Sequence, residues 1–380
     1  MVNKSILFFS AHPMTIVGFM LPHIRALYPL FNISVISNTD DKDLIKRLGV
    51  PVNVKHINIV RKISLLSDLK SIWMLYKFLK IKNFQAIHTV NPKAGIVGMI
   101  AAWMARVPVR THSFTGQVWA NKRGVMRWIL RAVDKIIVLL STDVLIDSPS
   151  QHGFLLKEGV LGKRESRVFG KGSISGVDTK LFSPNHHARS LLRSEIGISE
   201  DVFVCLYLGR LNADKGVLDL VSAFTTVVRM NSNAELWLVG PDEEFIYERV
   251  VEIMSPIRNK LRRFDFTNEP EKFMQTADLF CLPSYREGFG SAVIEAAACG
   301  IPSLASRIYG LTDAVVEGET GWMHEPGNIQ DIEAKLEVIM RSKDDISLRG
   351  KAARSYVERY FEQGFITEKM KSFYRDRLNV

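Results

Sequence analysis

Short apolar runs alternate along this chain with longer stretches in which apolar residues return every three or four positions. In the first half, Ser5–Ser10, Ile33–Ser37, Val52–Ile57, Ala86–His88, Val109–His112 and Val144–Ile146 predict strands. Helical periodicity lies between them at 15–28, 65–81, 92–105 and 124–140. The alternation restarts after residue 186, with strands predicted at Val202–Leu208, Glu235–Val239, Asp278–Leu282 and Pro302–Ala305. Helices are predicted at about 216–229 and from Ser291, and 328–380 reads as helices with no strand between them. Strand–helix alternation predicts parallel sheets covered on both faces. The segment GVDTKLFSPNHHARS, 176–190, has no periodicity and is the expected boundary between two doubly wound domains. Ligands of such sheets bind outside the carboxyl ends of the strands, so a cleft between two domains is the expected site. No internal repeat or low-complexity stretch interrupts the pattern.

Composition narrows the class. The 380 residues are 47% apolar and 24% charged, which excludes a disordered, collagen-like or coiled-coil chain. Cys205, Cys281 and Cys299 form no C-x-x-C pair, which argues against a disulfide framework or zinc site and for a reduced, intracellular compartment. The apolar stretch at 94–105 is well short of the roughly 20 residues of a membrane span. The opening MVNKSILFFSAHPM reads as a first strand rather than a signal peptide. Net charge is +10 and uneven: residues 1–180 hold 26 Lys/Arg against 10 Asp/Glu, and the remainder 24 against 30. A basic first half suits nucleic acid, anionic lipid or a phosphorylated substrate.

The strongest chemical signal is REGFGSAVIEAAACGIP, 286–302. Gly288 and Gly290 allow a tight turn before a helix opening near Ser291, whose free N–H groups suit phosphate or hydroxyl oxygens. Glu295 stands about one turn inside that helix, and helical side chains lean toward the N-terminus, so its carboxylate can reach a ligand held there. Taken singly, Glu287 reads as a loop charge and Glu295 as a solvated helix charge; the complete string argues otherwise. A second signal is LYLGRLNADKGVLDLV, 206–221, where a strand ends at Gly209 and Arg210 and Lys215 flank a short loop before a helix. Two cations at a strand end can hold a diphosphate, Arg by its planar fork and Lys as a point charge. Two carboxylates, amides and two cations together suit a nucleotide sugar.

The pair G-R-x4-K-G and E-G-F-G-x4-E-A-x3-G-I-P resembles the donor-binding domain of glycosyltransferase family 4, retaining enzymes with the two-domain GT-B fold. WLVGPD at 237–242, ADLFCLPS at 277–284 and GETGWMHEPGN at 318–328 agree, and ISGVDTKLFSP at 174–184 resembles the family's interdomain link. The resemblance implies an acceptor-binding domain over 1–180, a donor-binding domain over 186–362 and a C-terminal helix, 363–380, packed back on the first domain. It implies that Arg210 and Lys215 bind the donor diphosphate beside Gly209, that Glu295 binds the ribose hydroxyls, and that Glu287 sits by the donor sugar. Backbone amides of Phe289, Gly290 and Ser291 would contact sugar or phosphate oxygens. The family's glycine loop after the first strand corresponds to SAHPMTIVG, ending at Gly18. The family's acceptor-side His before a Gly is here Thr115 before Gly116, and F-T-G-Q-V-W-A, 114–120, resembles a bacterial surface-polysaccharide subgroup. His12, His88 and His112 each lie at a predicted strand end and are candidate replacements, with His112 foremost.

The expectation is therefore a glycosyltransferase that moves a sugar, with retention, from a nucleotide diphosphate sugar to a lipid-linked or saccharide acceptor in O-antigen or capsule synthesis. UDP is the expected nucleotide, with GDP the alternative, and no metal or other cofactor is expected. A nucleotide-sugar 2-epimerase of the same fold would not require the E-x7-E spacing. A nucleic-acid-binding role is prompted by the charge alone, with no helix-turn-helix, zinc-finger or RNP string to support it. Within KRGVMRWILRAVDKIIVLL, 122–140, Arg123, Arg127, Arg131 and Lys135 recur every four residues, with Val125, Trp128, Ile129, Val133 and Ile136 beside them and Trp119 upstream. A basic stripe next to tryptophan predicts a helix lying on an anionic membrane, peripheral on the inner face of the cell membrane, or guiding an acceptor's lipid diphosphate.

Overall fold

The computed structural model describes residues 4–39, 48–57, 59, 64–230 and 233–380. They divide into two compact units, 1–176 with 363–380, and 177–362. The first unit has seven strands: β1 (Ser5–Ser10), β2 (Asn32–Ser37), β3 (Asn53–His56), β4 (Ala86–Val90), β5 (Val109–Phe114), β6 (Asp143–Ile146) and β7 (Ser166–Val168). All pair in parallel, in the order β3-β2-β1-β4-β5-β6-β7. Its helices are α1 (Leu21–Leu27), α2 (Leu65–Lys82), α3 (Pro92–Met104), α4 (Gly124–Leu140) and α5 (Pro149–Lys157).

The second unit carries β8 (Phe203–Leu208), β9 (Ala234–Val239), β10 (Leu261–Phe264), β11 (Leu279–Leu282), β12 (Ser303–Ser306) and β13 (Gly321–His324), parallel in the order β10-β9-β8-β11-β12-β13. Around it lie α6 (His186–Glu195), α7 (Val217–Met230), α8 (Tyr247–Ile253), α9 (Pro270–Thr276), α10 (Ser291–Ala298), α11 (Ile329–Met340) and α12 (Lys343–Tyr360). The last helix, α13 (Gln363–Leu378), returns to the first unit. Among the described residues, no helix is long and apolar enough to cross a membrane.

Central strands are buried on both faces, which is why they read as near-continuous apolar runs. The first sheet has a core on each side. One joins β1 and β4 to α2, α3 and α4 through Leu7, Ile87, Phe78, Val97 and Ile137. The other joins the sheet to α1 and α13 through Phe8, Ile24, Met370 and Phe373. α13 is also held by polar contacts: Tyr374 Oη lies 2.9 Å from His88 Nδ1, and Arg377 reaches Asp143 at 2.6 Å. His88 Nε2 is in turn 2.7 Å from Ser113 Oγ. Burial holds the His88 pKa well below its ordinary value, so the ring is neutral.

Three expectations need correction. The helix expected over 15–28 is broken into Pro13–Thr15, a π-helical turn Ile16–Met20, and α1. Pro22 has no N–H for the i→i−4 ladder, and the wider turn absorbs the defect. Gly18 therefore lies in this π turn, exposed and with open space around its Cα, rather than in a loop after β1. The stretch at 176–190, expected to lack structure, contains the start of α6, whose Asn185 Oδ1 caps Ala188 N at 3.0 Å. Its periodicity is hidden because Arg193 fills the buried position, donating to Val202 O at 2.9 Å and pairing with Asp278 at 2.9 Å.

The α13 contact yields a measurable consequence. Tyr374→Phe leaves a buried imidazole nitrogen without its partner, at a cost of about 1–3 kcal/mol. Thermal denaturation should show a Tm lower by roughly 3–10 °C, and an unchanged Tm would mean that the hydroxyl contributes nothing.

Candidate active site

In a doubly wound sheet the strand order reverses at one point, and ligands bind there, beyond the carboxyl ends of the strands. In the second unit that point lies between β8 and β11. Gly209 and Arg210 follow β8 directly, and Pro283 to Gly290 follow β11. The two sequence signals therefore meet in one place although 72 positions separate Lys215 from Glu287. Lys215 Nζ donates to Glu287 Oε1, to which Ser284 Oγ also donates at 2.7 Å. Both charged side chains are largely shielded, so their mutual field is weakly screened.

The loops are knitted together around this pair. Asp214 accepts from Tyr285 N through its carbonyl at 2.9 Å and from Arg286 Nη2 through its carboxylate at 2.7 Å. Tyr285 Oη donates to Asp219 near the start of α7. Gly216 makes the approach possible. It has φ +62, and a Cβ there would stand 2.1 Å from Pro283 O. Gly290, with φ 74, is the N-cap of α10, and among the described residues no side chain caps the amides of its first turn. Gly288 is not in a left-handed conformation. Phe289 is buried against Phe361, ring centroids 5.1 Å apart, so only its backbone is available to a ligand.

Arg210 lies on the other side of the turn. Its Nη1 donates to Glu243 at 2.7 Å, on the loop after β9, and its carbonyl accepts from the buried Tyr207 at 2.7 Å. Each cation is thus matched to a carboxylate. Glu295 differs. It is half-buried in the second turn of α10, and its carboxylate makes no hydrogen bond among the described residues. Burial first, and the nearby Glu271 second, push its pKa up to about 7. A desolvated carboxylate with no partner is a poor structural element and a good acceptor for donated hydroxyls.

The first sheet reverses between β1 and β4. There Asn91, with φ 67 and ψ 151, holds a backbone conformation that side-chain-bearing residues rarely adopt. Its Oδ1 accepts from Ser10 Oγ at 3.1 Å, and its Nδ2 donates to Thr15 Oγ1 at 3.0 Å. The sequence reading missed Asn91; an Asn-Pro pair between strand and helix was the available signal. It also missed Glu243 and Ser284, polar residues just past a strand end.

His112 is not placed for chemistry. It is fully buried, its Nδ1 sits 2.7 Å from Thr89 Oγ1, and Phe114 packs edge-on at 4.6 Å. Burial pushes its pKa down to about 3, and no substrate can reach it. His88 is likewise enclosed. Of the three candidates, His12 is exposed, and its Nδ1 accepts from Met14 N at 3.2 Å. With Nδ1 accepting that bond, Nε2 is the ring nitrogen left for another partner.

The predicted cationic stripe on α4 is divided. Arg127 and Arg131 turn to Glu158, at 2.7 and 3.4 Å, and Arg127 covers the buried Trp119 ring at 5.3 Å. Arg123 and Lys135 are exposed, and so are Val125, Trp128, Ile129 and Ile136. The outward side of this helix is chiefly apolar. Trp119 lies inside, its indole donating to the buried Asp134 at 2.7 Å.

Residues 188–356 match the family model described as Glycosyl transferases group 1. The chain is 30% identical over 317 residues to the capsular polysaccharide biosynthesis glycosyltransferase CapM of Staphylococcus aureus, covering 83% of this chain and 82% of that one. It is 26% identical over 329 residues to the UDP-Gal:alpha-D-GlcNAc-diphosphoundecaprenol alpha-1,3-galactosyltransferase of Escherichia coli, covering 83% and 81%. Among solved structures, HepE from Anabaena in complex with UDP and glucose aligns with a TM-score of 0.81 at 19% identity, covering 98% of this chain and 100% of that one. Sucrose-phosphate synthase from Thermosynechococcus elongatus aligns with a TM-score of 0.83 at 21% identity, covering 99% and 100%. At such identities the likeness shows the fold.

Two measurements test this geometry. Gly216→Ala must adopt a left-handed backbone and displace Pro283, so chemical denaturation should show a loss of at least about 2 kcal/mol. Glu295→Gln removes a carboxylate whose folded-state pKa lies above its unfolded one. Its protonated form is the better tolerated below the unfolded value, and ionisation destabilises the fold as pH rises through about 7. The variant should therefore gain Tm over wild type at pH 8 and none at pH 4; a gain equal at both would refute the burial argument.

Proposed function

This chain belongs to the glycosyl transferases group 1 and has the GT-B fold, and from that premise we propose that it transfers a sugar from a nucleotide diphosphate sugar, UDP-linked, to a hydroxyl of a lipid-linked saccharide. The reaction belongs to surface-polysaccharide assembly and retains the anomeric configuration. Its relatives in capsule synthesis and in transfer to a diphosphoundecaprenol-linked acceptor support that acceptor class. The enzyme works in the cytoplasm, peripheral on the inner face of the cell membrane. The positive first unit meets the anionic acceptor and membrane surface rather than nucleic acid.

The observation that carries the reading is the junction of Lys215 and Glu287 at the β8/β11 reversal. A donor diphosphate exchanges its oxygens for the carboxylates now on Lys215 and Arg210, each exchange aided by the amides of Phe289, Gly290 and Ser291. Glu287, released from Lys215, stands by the donor sugar. Glu295 takes the ribose hydroxyls. The acceptor oxygen forms its bond to the anomeric carbon on the face from which the diphosphate leaves. The electron pair of the broken bond goes to the diphosphate, and the acceptor proton passes to a phosphate oxygen. Preorganised cations and amides meet the charge that develops on the leaving group, and no divalent metal is required.

Mass spectrometry after incubation with a panel of nucleotide sugars is the direct test: donor hydrolysis or transfer is expected, undiminished by a chelator. Arg210→Ala and Lys215→Ala should each lower kcat/KM roughly 10- to 150-fold, and wild-type kinetics in both would sink the diphosphate assignment. By calorimetry with the bare nucleotide diphosphate, Glu295→Gln should weaken binding, whereas Glu287→Gln should leave binding near wild type and reduce turnover of the intact donor. Equal affinity losses would refute the division of roles.

A further inference from the structure

α2, α3 and α4 pack side by side on one face of the first sheet, burying Phe78, Val97 and Ile137 beneath them. Their opposite sides are also apolar. Of the six tryptophans in the chain, Trp119, Trp237 and Trp322 are buried. The other three stand one on each of these helices: Trp73 is 51% exposed, Trp103 57% and Trp128 70%. Leu66 on α2 and Ile129 and Leu139 on α4 are exposed with them. Single exposed apolar residues are ordinary, but a layer shared by three adjacent helices is not.

The charges on this layer have one sign. Lys70, Lys77, Lys80, Arg123 and Lys135 are exposed on or beside it. Among the described residues of the three helices, neither acidic side chain is exposed: Asp68 is half-buried and paired with Lys93, and Asp134 is buried. Lys77 lies over the Trp73 ring at 5.2 Å, its stem along apolar surface and its ammonium at the rim. Indoles favour the boundary between hydrocarbon and water, and lysines beside them favour anionic headgroups. A second copy of the chain docking by the same face would set lysine against lysine.

We propose that the outer layer of α2, α3 and α4 is a membrane-docking face whose partner is the interface of an anionic bilayer, held chiefly by partition of Trp73, Trp103 and Trp128 and secondarily by the lysines. This rests on the reading of a lipid-linked acceptor and deepens it by assigning the surface and the mode of contact. The helices lie in the plane of the interface and do not cross it.

The test is sedimentation of the full chain with anionic and with neutral vesicles, together with light scattering in their absence. Binding should favour anionic vesicles and persist in part at about 1 M salt, where surface charge is screened to within roughly 3 Å. The triple variant Trp73→Ser, Trp103→Ser, Trp128→Ser should lose at least about tenfold in vesicle partition while keeping wild-type affinity for nucleotide diphosphate. Folding of the variant is checked by its Tm. Wild-type partition in the triple variant overturns the proposal, as does complete release by salt. A wild-type dimer that the variant converts to monomer also overturns it, in favour of a second copy as occupant. Vesicle binding without any transfer activity would retain this face and remove the glycosyltransferase reading, so the two failures are distinguishable.

Discussion

The loops of the candidate site in the second unit depend on one close approach of backbone to backbone. The turn after β8 and the strand end after β11 touch where Gly216 faces Pro283, with no space for a single added carbon. That contact decides where Lys215 points, because the residue before Gly216 has little freedom left. It also sets the reach of Asp214 to Tyr285 and Arg286. The glycine's own conformational cost is offset by these links, which close only when the two loops are in register.

Around that contact the charges form matched pairs. Lys215 faces Glu287, and Arg210 faces Glu243. An incoming anion competes with both carboxylates, so its affinity is the difference between two sets of charge-assisted bonds. Such exchange favours a ligand with two anionic groups over one with a single group, as the proposed diphosphate donor requires. In the proposed donor complex the displaced carboxylates are left to accept from hydroxyl groups, so one event would expose both kinds of recognition.

The parallel sheets and the two glycine-bearing loops at strand ends were legible because both rest on local rules. Buried parallel strands must be apolar throughout, and a strand–turn–helix junction that binds oxygen must carry Gly and a cation at fixed offsets. The failures share a different cause. α6 was hidden because the buried Arg193 satisfies its guanidinium with carbonyls from another segment, which no periodicity can announce. His112 was misplaced because a strand end in sequence gives no measure of depth, and a neighbouring helix seals the ring beneath Gly95. Arg127 and Arg131 had the spacing of a solvated stripe, yet Glu158, just past the end of α5, claims both. Edge strands such as β10, with two arginines in four residues, carry too little apolar signal to be seen.

The return of α13 to the first unit means that 363–380 close that unit, and 177–362 lies in sequence between its parts. Translation therefore makes the whole of the second unit before the helix that completes the first. Until then the sheet face that takes Met370, Phe373 and Tyr374 stands open, with the neutral His88 at its centre. Residues 4–176 are made first yet complete their core only with 363–380, so the nascent first unit exposes apolar surface of the kind that chaperones cover.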